Sequence, residues 1–208
     1  MKDYISLSRE HFNKQAPEYD SNTSVFYSRY PKISCHDVAD RLRGMTYASL
    51  LDIGCGTGYF IDLLASSYPA KYVGLDLSEK MLEVARAKQI CGATFTLGLA
   101  DDLPYRDETF DIVTCIQSFH HYPRQDLAMQ EARRVLKPGG LYILSDTGVG
   151  GLSGWVYNHI LFKLAKSGDY RSANRRAITR QMASNGFTVV ESVAIRRFLY
   201  TIIGQKPH

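Results

Sequence analysis

From residue 49 onward the chain alternates between short apolar runs and longer amphipathic stretches. The runs at 49–53, 72–76, 94–97, 110–116 and 141–145 are rich in branched side chains. Runs that stay apolar on both alternating faces are the mark of buried parallel strands. Between them, Phe60, Leu63 and Leu64 share one helical face, as do Met81, Val84 and Ala85. Leu127, Glu131, Val135 and Leu136 mark a third helix, with Pro123 near its first turn and Lys137-Pro138-Gly139-Gly140 as its stop. The alternation predicts an α/β fold, a doubly wound sheet with helices on both faces. The two ends differ. Residues 1–48 carry helical pieces and no convincing strand. Residues 147–173 are too long for an ordinary connection and predict structure of their own. Within them, Leu152, Trp155, Val156, His159, Ile160 and Lys163 form a helical stripe. A helix over 174–185, a stop at Gly186 and strands over 187–194 and 198–203 complete the pattern.

One junction carries chemistry. Leu51-Asp52-Ile53-Gly54-Cys55-Gly56-Thr57-Gly58-Tyr59-Phe60 reads as strand, glycine turn and helix start. Glycines here let a ligand approach the backbone. The spacing is GxGxG. Tyr59 occupies the third glycine position of a dinucleotide fingerprint, and no Lys-Ser/Thr follows as in a phosphate-binding loop. Asp52, just before the turn, would repel a pyrophosphate and attract an ammonium group. Asp76 ends the second strand, where an acid can accept bonds from both ribose hydroxyls. Ribose plus amino acid describes S-adenosylmethionine.

With these residues in place, the stretches 51–60, 72–81, 103–113 and 131–146 resemble class I S-adenosylmethionine-dependent methyltransferases. The closest resemblance is to the small-molecule branch, the ubiquinone/menaquinone biosynthesis type. The segment from His11 to Asp20 resembles the part that closes over the cofactor in those enzymes. The resemblance implies a Rossmann-like seven-stranded mixed sheet with its last strand antiparallel, flanked by helices and a helical cap. It implies one domain over 1–208: an N-terminal cap segment at 1–48, a cofactor-binding core at 49–146, a cap insertion at 147–173, and a C-terminal helix with two strands at 174–208. Gly54 and Gly56 would approach the methionine portion of S-adenosyl-L-methionine, and Asp52 would support its ammonium group. Asp76 would hold the ribose, and Leu77 and Met81 would pack near adenine. Gln117 would border the sulfonium, and Tyr19 would cover the cofactor. Leu77, Met81 and Tyr19 also fit a role in plain packing. At Leu99 the chain departs from the family, which usually has an acid there to bond adenine. Either Asp101 and backbone groups take over, or a loop shift of one or two residues brings an acid in; Asp101 is the preferred reading.

The implied activity is methyl transfer to a small organic acceptor, releasing S-adenosylhomocysteine. RNA or protein methylation, or cofactor binding without catalysis, are the alternatives. His120 and His121 follow the fourth strand at the ligand crevice and are candidates for a general base. A structural role for the pair is the preferred reading. Trp155, Tyr157, Phe162 and Tyr170 suggest an apolar cap over an aromatic or lipidic acceptor; a helix simply covering core fits them equally.

Composition changes the picture in two places. The 208 residues carry a net charge of +4, but residues 151–208 hold +7 and the rest −3. No RNA-binding module accompanies the basic quarter, whose first reading is a solvated helix face. Cys35, Cys55, Cys91 and Cys115 form no CxxC pair and no zinc spacing, so no metal site is expected. Free thiols, the lack of a secretory h-region and the lack of a membrane-length apolar run predict a cytoplasmic protein. The oligomeric state is not legible.

Overall fold

The computed structural model describes residues 3–21, 29–149 and 168–208. The N-terminal part is helical, as expected: α1 (Tyr4–Gln15), a 3₁₀ turn (Ala16–Glu18) and α2 (Tyr30–Leu42). The core follows as β1 (Ser49–Ile53), α3 (Tyr59–Ala65), β2 (Lys71–Asp76), α4 (Glu79–Ala87), β3 (Ala93–Leu97) and β4 (Phe110–Ile116). A 3₁₀ turn (Phe119–His121), α5 (Gln125–Val135) and β5 (Leu136–Thr147) complete it. After the undescribed stretch come α6 (Arg175–Ser184), β6 (Thr188–Ala194) and β7 (Leu199–Gln205). Trp155, Tyr157, Phe162 and the predicted stripe over 152–163 lie outside the described residues.

The described strands form one seven-stranded sheet in the order β3-β2-β1-β4-β5-β7-β6. β1 to β5 pair in parallel, and β7 runs antiparallel to both β5 and β6. Period-two alternation divides the strand residues between two cores. Leu51, Ile53, Val113, Cys115, Tyr142, Leu144 and Ile202 face α5 and α6, where Met129, Ala132, Ile178 and Met182 meet them. Leu50, Ile112, Ile116, Ile143 and Ile203 face α2 and α3, against Val38, Leu42, Ile61 and Leu64. All five residues of β1 are buried, because helices cover both faces.

One boundary differs from the expectation. The run at 137–140 is not a stop between elements. The helix ends at Val135, and β5 begins at Leu136, paired with Phe110, and continues through the prolyl-glycyl run. Pairing with β4 resumes at Leu141 opposite Ile112, so residues 137–140, with Gly139 at φ 77°, form a bulge in β5.

β1 lies between β2 and β4, where the strand order reverses direction. In a doubly wound sheet this switch point opens a crevice beyond the carboxyl ends of the strands. Two part-buried contacts, Arg41 to Glu191 and Asp37 to Thr201, hold α2 against the far edge of the sheet, and an Arg41–Asp37 pair within the helix links them. The Arg41 guanidinium pairs with both Asp37 and Glu191, and Thr201 Oγ1 donates to Asp37 at 2.7 Å.

Met129 is fully buried between α5 and the sheet. Met129→Ala leaves a cavity there and is expected to cost about 2–5 kcal/mol of stability. A urea titration reads this as a lower midpoint at unchanged slope.

Candidate functional site

The crevice is built from loops that follow β1, β2 and β4. In the glycine turn, Gly54, Gly56 and Gly58 have φ of 75°, 53° and 75°. These left-handed angles strain any residue with a Cβ. Gly54 has a second constraint: a Cβ there would overlap the Ser118 side chain, 2.6 Å from its Cβ. The turn is pinned to β2 by Gly54 N and Cys55 N, which both donate to Leu75 O, at 2.7 and 3.1 Å.

Two acids flank the turn. Asp76 Oδ2 accepts the Gly56 N–H and Asp76 Oδ1 accepts the Ser78 N–H, each at 2.8 Å. Burial raises the Asp76 carboxyl, and those N–H groups oppose the rise. Asp52 is 2% exposed and accepts from Thr114 Oγ1 at 2.7 Å. Burial pushes its carboxyl up to about 7; the Thr114 bond opposes this and the Asp76 charge adds to it.

The N-terminal segment closes over these groups. Ser78 Oγ donates to Asn13 Oδ1 at 2.7 Å, and Thr57 Oγ1 donates to Asp20 Oδ1 at 2.6 Å. Asp20 also pairs with Lys88 at 2.7 Å. These bonds set Phe12 and Tyr19, edge to face at 6.5 Å, over the glycine turn.

Of the sequence-predicted residues, Tyr19, Asp52, Gly54, Gly56, Asp76, Leu77, Met81 and Gln117 line one cavity of about 850 Å³, part of it open to solvent. Gln117 has φ 52°, an uncommon angle for a residue with a side chain, and its Nε2 donates to Ser34 Oγ at 2.9 Å. Asp101 is set apart. It lines an adjoining lobe with Gly98 and Leu99, and its carboxylate accepts from Arg124 Nε at 2.5 Å. The two lobes share Gly54, Asp76, Leu77, Ser118 and His121, so they are halves of one crevice. Phe12, Asp20, Thr57 and Ser118 also line the main lobe, although sequence reasoning did not single them out. Phe12 and Asp20 lay inside the recognised N-terminal segment, but Ser118 carried no signal of its own.

The histidine pair sits at the edge of this crevice. His120 Nδ1 donates to Asp146 Oδ1 at 2.7 Å, and the His120 backbone N–H donates to Asp146 Oδ2 at 3.0 Å. Burial depresses the His120 imidazole, but Asp146 and Asp169 outweigh it and hold it at about 9. Burial, and then the His120 charge, push His121 down to about 4. Asp146 had a legible signal, an acid ending an apolar run like Asp52 and Asp76. Asp169 had none. Cys35, Cys55 and Cys115 are buried, and burial pushes their thiols up, away from nucleophilic use.

Most of the described basic residues of the C-terminal quarter lie away from the crevice; Arg171 is the exception, its N–H donating to His120 O. Arg175, Arg176, Arg196 and Arg197 line a separate surface depression with no lining residue in common with either lobe. No described helix is long and apolar enough to cross a membrane.

Comparison with known proteins agrees with this geometry. Residues 51–144 match the family described as Methyltransferase domain. The fatty-acid O-methyltransferase of Mycolicibacterium smegmatis is 41% identical over 99 residues, covering 47% of this chain and 36% of that protein. The demethylmenaquinone methyltransferase of Lactococcus lactis is 34% identical over 145 residues, covering 67% of this chain and 58% of that protein. The chain thus spans only 36% and 58% of the length of these two relatives. Among solved structures, the complex of the Trm112 methyltransferase activator of Haloferax volcanii contains a chain that superimposes with a TM-score of 0.80 at 19% identity. That match covers 97% of this chain and 98% of the other, and it shows the fold.

The raised Asp52 carboxyl has a measurable consequence. Its ordinary value is 3.8 and its folded value about 7. Its contribution to stability is therefore complete below the ordinary value and is lost as pH rises through about 7. Between pH 6 and 8 the loss from this group is about 1 kcal/mol. His121, depressed in the fold, contributes the opposite slope at its own lower range. The difference between the parent and Asp52→Asn isolates Asp52: unfolding titrations at pH 6 and pH 8 are expected to show a smaller loss in the variant.

Proposed function

The chain carries a methyltransferase domain of the class I S-adenosylmethionine-dependent family, and from that premise we propose that it methylates a small organic acceptor and releases S-adenosylhomocysteine. The observation that carries the reading is the convergence of Asp52 and Asp76 with the glycine turn in one cavity. Two carboxylates in a buried crevice suit a cationic ligand with a polyol and disfavour a diphosphate. A Cβ on Gly56 would meet nothing within 4 Å, so the turn presents bare backbone to open space where a ligand can lie. The residues present therefore fit the cofactor.

Asp52 would hold the ligand's ammonium group, an interaction that strengthens as its carboxyl ionises. Asp76 is already fixed by two backbone N–H groups and keeps acceptor capacity for the ribose hydroxyls. Leu77 and the almost fully buried Met81 offer an apolar wall for the adenine. Asp101 gives one oxygen to Arg124 and keeps the other as an acceptor for the adenine amino group, in the lobe with Gly98 and Leu99. Gln117, held by Ser34, would border the reacting end. Tyr19 and Phe12 would exclude water. When bound, S-adenosylmethionine supplies a methyl group already activated on a sulfonium, so positioning and desolvation can do much of the catalysis. The free thiols fit a reducing compartment such as the cytoplasm.

Calorimetry with S-adenosylhomocysteine tests the site. Asp76→Ala is expected to weaken binding about 10–100-fold, the scale of hydrogen bonds to a charged group. Parent affinity is expected to rise from pH 6 to pH 8, and Asp52→Asn to flatten that rise. Unchanged affinity in Asp76→Ala would remove the ribose assignment. Transfer of a labelled methyl group into nuclease-treated extract would show a small acceptor, whereas label lost on nuclease treatment would point to RNA.

A further inference from the structure

We propose that His120, His121 and Asp169 form a binding site for one divalent transition-metal ion at the edge of the crevice. His120 Nε2 lies 3.6 Å and His121 Nδ1 3.5 Å from Asp169 Oδ1. The three donor atoms fall within 4.8 Å of one another. Charge-assisted hydrogen bonds between such groups run to about 2.7–2.9 Å, so these separations are too long for good ones. They are close to the separation of about 3.4 Å between two ligands each about 2.1 Å from a tetrahedral ion. Two imidazoles and one carboxylate suit zinc, cobalt or ferrous iron better than magnesium or calcium.

The surroundings orient the donors. Asp146 takes the Nδ1 proton of His120, which leaves Nε2 as the donor turned toward Asp169. A carboxylate behind a ligating histidine is the arrangement that fixes the ring and raises its basicity. Phe12 packs edge-on against His121 at 5.0 Å, and the two histidine rings lie 4.2 Å apart. Asp169 arrives from a remote part of the chain but is clamped on both sides. Tyr170 N and Arg171 N each donate to His120 O at 3.0 Å. On the other side, Gly168 has φ 78°, and a Cβ there would sit 2.6 Å from Ser8 Cα, so only glycine allows this approach to α1. Three protein ligands leave an ion with an open position. His121 also lines both lobes, so the ion would border the crevice and could take an oxygen ligand from a molecule bound there.

The test uses the full untagged chain, stripped with a chelator, dialysed and titrated with Co²⁺ at pH 7.5. The expected result is one equivalent bound, with visible ligand-field bands, no thiolate charge-transfer band, and displacement by Zn²⁺. His121→Ala and Asp169→Asn are each expected to lower affinity at least tenfold, and Asp146→Asn about 10–100-fold. Thermal unfolding in metal-free buffer checks that each variant folds. If His121→Ala does not fold, the partly exposed Asp169→Asn decides. No ligand-field band at millimolar Co²⁺, or a Co²⁺ affinity unchanged in Asp169→Asn, would overturn the site. Calorimetry with S-adenosylhomocysteine on the stripped protein keeps the methyl-transfer reading separate, because cofactor binding does not require the ion.

Discussion

A single buried carboxylate ties the working end of the sheet together. Asp76 ends β2, takes the Gly56 N–H from the turn after β1 and takes the Ser78 N–H at the start of α4. Two backbone donors, one from the turn after β1 and one from the start of α4, are satisfied by this one side chain at the end of β2. Ser78 then caps α4 through Met81 N and reaches Asn13 on α1, so the same node also anchors the N-terminal segment. The shape of the crevice follows from that node.

This node makes the cofactor-free crevice electrostatically costly. Asp52 and Asp76 are both buried, and the Asp76 charge adds to the cost of ionising Asp52. Backbone N–H groups compensate Asp76, whereas Asp52 has one hydroxyl donor from Thr114. The less compensated acid is the one expected to meet a cation. The fold thus holds a carboxylate in readiness for a positive ligand, the usual trade between stability and function at a binding site.

The outer groups are held by different means. The N-terminal segment is fastened by hydrogen bonds at Asn13 and Asp20, on two separate sides of the glycine turn. The segment after residue 167 is fastened by backbone bonds to His120 O and by the fit of Gly168 on Ser8. The two segments meet at the histidine pair, where Phe12 of α1 packs against His121 and Tyr170 N and Arg171 N donate to His120 O. Four basic residues of the C-terminal quarter, Arg175, Arg176, Arg196 and Arg197, line a depression elsewhere. Their charge therefore belongs to a different surface from the acceptor end of the crevice.

The sequence by itself determined the sheet and most of the crevice. Strand runs such as 49–53 and 110–116 are legible because helices cover both faces and every position must be apolar. Tyr19, Asp52, Gly54, Gly56, Asp76, Leu77, Met81 and Gln117 are legible because each occupies a strand end or lies within a recognisable motif. The tertiary structure alone decided the rest. Asp101 lines the lobe with Gly98 and Leu99, and Arg124, 23 residues away, takes one of its carboxylate oxygens. The run at 137–140 reads as a stop, yet β5 pairs with β4 on both sides of it, Leu136 with Phe110 and Leu141 with Ile112, and the run itself bulges out of that register. Asp169 meets His120 and His121 only because a glycine in a left-handed conformation lets a remote segment dock on α1. Local pattern fixes what a residue must avoid, water or a Cβ clash. Which distant side chain satisfies a charge is settled only when the packed chain brings the partners within reach.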